Sequence, residues 1–244
     1  MSEQALDKKK TAEEVMPGPD LSWRSLYRAG GVSAFLYILL GMIVPALLYI
    51  PSDFHSITSG AATLQYITSH RAWWIIIQTL TLAPSFLAIV VFAALFMALK
   101  HLNKGYAAIG TLVAVVCQIL FLAYLPVVFG LVYLSDQYAA AATEAQRLTF
   151  AVAAEGLNAQ NFAFSPSETA FAIGVLIISL VMLKGVFHKA VAYLGIATFS
   201  ACIICEPLRP IIGTKYLFWW TFFMIWFVAV GFKLYKLGSR KTIK

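Results

Sequence analysis

Apolar residues in this chain gather in long blocks set apart by short polar or basic stretches, without the strict alternation that marks half-buried strands. Six blocks stand out, at residues 29–50, 72–99, 107–134, 165–183, 190–205 and 216–232. Several of them reach the ~20 residues that carry a helix across a bilayer. The pattern predicts an all-α polytopic transmembrane bundle of six spans over residues 29–234, with a flexible tail at 1–28 and a short basic tail at 235–244. Pro45 inside the first block is compatible with a span, because neighbouring helices re-satisfy the carbonyl it frees.

The connections carry their own signals. Residues 51–71 read as a polar loop, and the turns at 100–104 and 184–189 are short and basic. The longest loop, 135–165, is rich in helix formers over 139–154, which predicts an extra helix lying on the membrane surface, with Glu144 and Arg147 spaced to pair. Ser165-Pro166-Ser167-Glu168 has the form of a helix start, with Ser as cap, Pro at the first helical position and Glu closing a capping box. Two prolines in Glu206-Pro207-Leu208-Arg209-Pro210 end the fifth block, and Tyr216, Trp219 and Trp220 suit an interfacial aromatic belt. Pro17, Gly18 and Pro19 interrupt the N-terminal tail, which leaves room for a short interfacial helix around Trp23 and Tyr27. No stretch of that tail is apolar enough for the core of a secretory signal, so nothing is expected to be cleaved.

Composition supports the bilayer as solvent. The 244 residues are 61% hydrophobic and 12% charged, against roughly 25% charged in soluble domains. Charge then sets the orientation. With the N-terminus inside, Lys8, Lys9, Lys10, Arg24, Arg28, both basic turns and Lys233, Lys236, Arg240, Lys241 and Lys244 fall on the cytoplasmic side. Arg71, Arg147, Arg209 and Lys215 are left outside, together with Asp53, Asp136, Glu144, Glu155, Glu168 and Glu206. This asymmetry predicts a multi-pass plasma (inner) membrane protein with both termini cytoplasmic. The net charge of +7 is thus a topology signal with attraction to anionic lipid, and no nucleic-acid partner is expected, since no basic face lies outside the membrane flanks.

A weak internal similarity relates 95–118 to 180–202, pairing Met97 with Met182, Gly110 with Gly195 and Cys117 with Cys202, as two hairpins of an in-membrane pseudo-symmetry would. Shared apolar composition is the simpler account.

Candidate chemistry is sparse. No Asp, Glu, Lys, Arg or His falls in the middle of a block, which weighs against proton-coupled transport. His55, His70, His101 and His188 all lie in loops or at block ends, which weighs against haem ligation within the bilayer. The polar residues inside the blocks are Gln78, Thr79, Thr81 and Ser85 around Pro84, then Gln118, Thr198 and Ser200. They read as interhelical hydrogen bonding and repair of a proline kink, or as the lining of a cavity between helices two, three and five that holds a lipid or small apolar molecule. On the outer side Asp53, His55, His70, Glu168 and Glu206 are the residues from which a metal or hydrolytic site would have to be built, but their spacing fits no ligand motif and no metal or cofactor is expected. Glu206 is placed to pair with Arg209. Cys202 and Cys205 form a C-x-x-C pair among apolar neighbours with no basic group near, as structural cysteines do, and Cys117 reads alike. No P-loop, dinucleotide fingerprint, nucleophile elbow or H-E-x-x-H is present.

Arg28-Ala29-Gly30-Gly31 leading into LYILLGM, the outer stretch GAATLQYITSHRAWWIIIQ, the segment AYLGIATFSACIICEP after a basic turn, and the closing FWWTFFMIWFVAVGFKL together give a recognisable pattern. Over residues 28–235 it resembles a family of bacterial six-helix membrane proteins known only as a domain of unknown function, numbered in the four-thousand-three-hundred series. That family often carries an acid before the tryptophan of its last helix, where this chain reads Phe223-Met224-Ile225-Trp226, so no role of that acid transfers. The resemblance implies a fold and a membrane location, and no activity. The expectation is a non-catalytic binding or accessory component. The alternatives are an outer-face enzyme acting on a lipid or isoprenoid, and a facilitative transporter.

Overall fold

The computed structural model describes residues 18–48, 59–123, 125–162, 166–213, 215 and 218–239. Among them every regular element is helical. A single 3-10 turn, Leu21–Trp23, leads into α1 (Arg24–Leu48), followed by α2 (Gly60–Ser69), α3 (Arg71–Leu80), α4 (Ala83–Leu99), α5 (Lys104–Leu122), α6 (Leu125–Ala140), α7 (Glu144–Phe162), α8 (Pro166–Met182), α9 (Lys189–Cys205), α10 (Arg209–Ile212) and α11 (Phe218–Gly238).

Four helical stretches, Leu21–Leu47, Arg71–Leu99, Lys104–Leu122 and Phe218–Gly238, are long and apolar enough to cross a membrane; α8 and α9, at 17 residues each, are shorter apolar helices packed among them. In the bundle α1 lies between α4 and α11, α5 between α4 and α8, and α9 between α8 and α11. Small residues let these backbones approach. A methyl group at Gly174 would stand 2.8 Å from the Gly110 carbonyl and 2.9 Å from the Ala114 nitrogen, so α5 and α8 cross on paired glycines. The core is aromatic and aliphatic, with Phe92, Phe171, Phe199, Phe223, Trp226 and Phe227 buried in edge-to-face or tilted contacts. Glycines 110 and 195 do not make equivalent contacts: Gly195 of α9 faces Ser179 and Trp226.

One end of this bundle is basic. Lys100 Nζ lies 5.7 Å from the Trp23 ring, Arg28 Nε donates to the Gly238 carbonyl at 2.9 Å, and Asn103 and Lys184 border one shallow cavity. The chain's N-terminal approach, both basic turns and the end of α11 are therefore neighbours.

At the opposite end the structure departs from the sequence reading. Residues 60–69, expected as loop, form α2, whose Thr63, Leu64 and Ile67 stripe is buried. Together with α3, α6 and α7 it builds a second core around Leu64, Tyr66, Ile67, Trp74, Leu131, Val132 and Ala154. In the stretch where a surface helix is expected over 139–154, α7 covers Glu144–Phe162 and packs on α2 and α6 within this cap. Polar contacts knit the cap: Glu155 accepts from the Gly60 N–H, Asn158 donates to Thr63 Oγ1 at 2.8 Å, Thr68 and Ser135 share a 2.8 Å hydrogen bond, and Arg71 pairs with Asp136. Arg147 stands 3.8 Å from Glu144.

Two spans read as continuous are broken. The second divides at Thr81–Leu82 into α3 and α4, because Pro84 has no N–H to give to the preceding turn. The third runs on into the cap as α6 after a break following Ala123. At the basic end Tyr27, expected at an interface, is fully buried in the bundle core, and α11 continues to Gly238 inside the segment expected as tail. The Ser165 cap and Tyr216 lie outside the described residues.

Candidate ligand cavity

Where bundle meets cap, a cavity of about 380 Å³ opens among five of the bundle's segments. The break between α3 and α4 supplies Gln78, Thr81, Leu82, Pro84 and Ser85, because a helix that unwinds at a proline turns its polar side chains and freed backbone groups toward the gap. Thr81 repairs part of that break by donating from Oγ1 to the Gln78 carbonyl at 2.5 Å. From α5 come Gln118, which is buried, and Phe121; from α1, Tyr37, Val44 and Pro45. Helix α8 contributes Glu168 and Phe171, and α11 contributes Trp219, Trp220 and Phe223.

The aromatic wall centres on Phe223. Its ring stands 5.7 Å from Tyr37 and 5.5 Å from Trp220, both edge-on, and 6.3 Å from Phe171. The Trp219 indole nitrogen is buried with no hydrogen-bond partner among the described residues.

Behind the wall lies a buried cluster of charged side chains. Arg209, at 8% exposure, directs Nη2 to Glu168 Oε2 at 3.0 Å and to Glu206 Oε2 at 3.0 Å, and Glu206 is fully buried. Glu206, the C-cap of α9, thus pairs with Arg209 at the start of α10 across the turn between them, as its three-residue spacing suggests. Glu168 belongs to the same cluster across 41 residues of sequence. The carboxylate at the start of α8 is thereby engaged by a guanidinium and faces the cavity at once.

Of the residues singled out from sequence, Gln78, Thr81, Ser85 and Gln118 line this cavity, while Thr198 and Ser200 of α9 do not. Thr198 is buried with its hydroxyl unpaired among the described residues. Helices α1, α8 and α11 take the place expected for the fifth span. The outer-face set does not converge: Glu168 and Glu206 meet at Arg209, whereas His70 belongs to the cap, where its ring stacks on Tyr66 at 4.7 Å. Asp53 and His55 lie outside the described residues. Among the described residues no three His, Cys, Asp or Glu side chains group as metal ligands do. Cys117, Cys202 and Cys205 are free thiols.

Comparison with protein-family models, with curated proteins and with solved structures returned no match to this chain.

Proposed function

We propose that this chain is a six-span protein of the plasma membrane, both termini cytoplasmic, that holds a lipid or small apolar molecule in the cavity between bundle and cap. The cavity itself carries the reading. Its volume falls within the roughly 300–1,000 Å³ usual for small-molecule sites, and a mainly apolar wall with a few convergent polar groups is the usual makeup of such sites. A binding or accessory role is favoured over an outer-face enzyme because Glu168 and Glu206 are engaged by Arg209, while the half-buried His70 stacks on Tyr66 in the cap, apart from them.

Six spans are supported by packing. Helices α8 and α9 share the bundle with the four longer stretches, and 17 residues is at the lower limit of the roughly 17–25 that cross a bilayer. The cytoplasmic placement of both termini is supported by the gathering of Arg28, Lys100, Lys184 and the end of α11 at one end of the bundle. Resemblance to the six-helix family of unknown function fits the same architecture.

The test is native mass spectrometry of protein extracted gently in a maltoside detergent. Wild type is expected to carry a companion mass at one per chain. Thr81→Trp, which sets a large side chain at an exposed position of the wall, is expected to lose it. A wild-type spectrum indistinguishable from that of Thr81→Trp would sink the reading.

A further inference from the structure

Three side chains that can donate hydrogen bonds reach the cavity from three different helices: Tyr37 from α1, Gln118 from α5 and Trp219 from α11. Each is more than nine-tenths buried, at 8%, 4% and 3% exposure. Neither the Tyr37 hydroxyl, the Gln118 amide nor the Trp219 indole nitrogen has a hydrogen-bond partner among the described residues. A buried donor left unmade is costly, most of all where bulk water is absent, so this wall calls for an acceptor. An indole N–H can only donate, while a phenol and an amide can donate as well as accept, so an oxygen with free lone pairs answers all three. Water offers such an oxygen, but it gains nothing from the rings of Phe171, Trp220 and Phe223 on the same wall. An oxygen acceptor set on an apolar body meets both demands. The three donors are neutral, and Arg209 behind Glu168 is already engaged by Glu168 and Glu206. An uncharged acceptor therefore suits them better than a carboxylate, whose lost hydration neutral donors alone would have to replace.

Resting on the reading of this cavity as a ligand site, we infer that its ligand is a neutral, largely apolar molecule bearing a carbonyl group, a ketone or an ester. The carbonyl oxygen lies among the Tyr37, Gln118 and Trp219 donors, and the apolar part lies along the Phe171–Trp220–Phe223 wall. A hydrocarbon of the same length leaves those donors unanswered, so the site selects by hydrogen bonding as well as by shape.

The experiment compares three probes of equal chain length, 2-undecanone, undecane and undecanoate, titrated into the full chain in a neutral maltoside detergent and followed by tryptophan fluorescence. The ketone is expected to bind saturably at one per chain, about tenfold tighter than either of the others. Tyr37→Phe, Gln118→Leu and Trp219→Phe each remove a donor while keeping most of the side chain's volume. Each is expected to draw the ratio of ketone to alkane affinity toward one. Because a buried substitution can also disturb folding, the infrared band of carbonyl-labelled 2-undecanone on wild type serves as a second measurement. Hydrogen bonding is expected to move that band below its position in protein-free micelles. Equal affinity for ketone and alkane, tighter binding of undecanoate, a bound band at the micelle position, or a ketone preference that survives all three substitutions overturns the carbonyl assignment. Saturable binding without preference that Thr81→Trp abolishes would leave the cavity reading standing without it. Binding of none, or binding indifferent to Thr81→Trp, removes the cavity reading itself and this inference with it.

Discussion

Arg209 shows how much rests on single side chains at the junction of bundle and cap. Removing it leaves Glu168 and the fully buried Glu206 without their common guanidinium, and stranding a buried charge costs about 3–5 kcal/mol. Arg209→Ala is therefore expected to lower the melting temperature of the detergent-solubilised protein sharply, and pairing it with Glu206→Gln should recover part of the loss; equal melting temperatures for Arg209→Ala and wild type would contradict this. At the basic end, burial holds the His101 imidazole below its ordinary value of 6.5. Unfolding then lets the ring take up a proton, so the stability it contributes is present above pH 6.5 and falls as the pH drops through that value. A thermal-shift series across this range should show the decline in wild type and a shallower one in His101→Gln. Residues of the cavity were legible unevenly. Gln78, Thr81, Ser85 and Gln118 stand out as polar groups in apolar blocks, whereas Tyr37, Phe171 and Trp219 do not, because an aromatic side chain facing a cavity and one facing lipid look alike in sequence. Glu168 reads from sequence only as a helix cap, since its partner Arg209 lies 41 residues away.

Helices long enough to need lipid were plain in the chain, and the boundaries of α8 and α9 fall close to the apolar blocks that announce them. What those blocks conceal is interruption. A break at Thr81 or after Ala123 leaves mean hydropathy unchanged, so only Pro84 and Pro126 hint at it. Helix α2 was hidden for the opposite reason. Ten residues with a mixed, polar-looking composition make no long apolar run, although Thr63, Leu64 and Ile67 lie on one face at helical spacing. Its attachment to α7 offers a direct check. Any side chain at Gly60 would collide with the Ala151 carbonyl and the Glu155 backbone nitrogen. Gly60→Ala should thus speed amide hydrogen exchange in 60–69 and 144–159 by about tenfold or more while protection in α4 and α5 stays as it was. Uniform exchange rates in the two proteins would show that α2 and α7 do not depend on this close approach.

The described residues build two cores, one aromatic and aliphatic in the bundle and one small and partly hydrogen-bonded in the cap. The six-span orientation proposed above makes a topological prediction. On a background lacking Cys117, Cys202 and Cys205, a cysteine at Arg147 should react with a membrane-impermeant maleimide in intact cells, and cysteines at Lys104 or Ser239 should react only after the cells are opened. Labelling of Lys104→Cys in intact cells would invert or break the topology. Connectivity adds a demand on assembly. The cap is drawn from residues 60–80 and 125–162, and the α4–α5 hairpin lies between them in the chain. During synthesis α2 and α3 must therefore wait, with Leu64, Ile67 and Trp74 lacking their partners, until the hairpin has turned and α6 and α7 have followed. Successful insertion of that one hairpin is the gate through which the cap passes on its way to being folded.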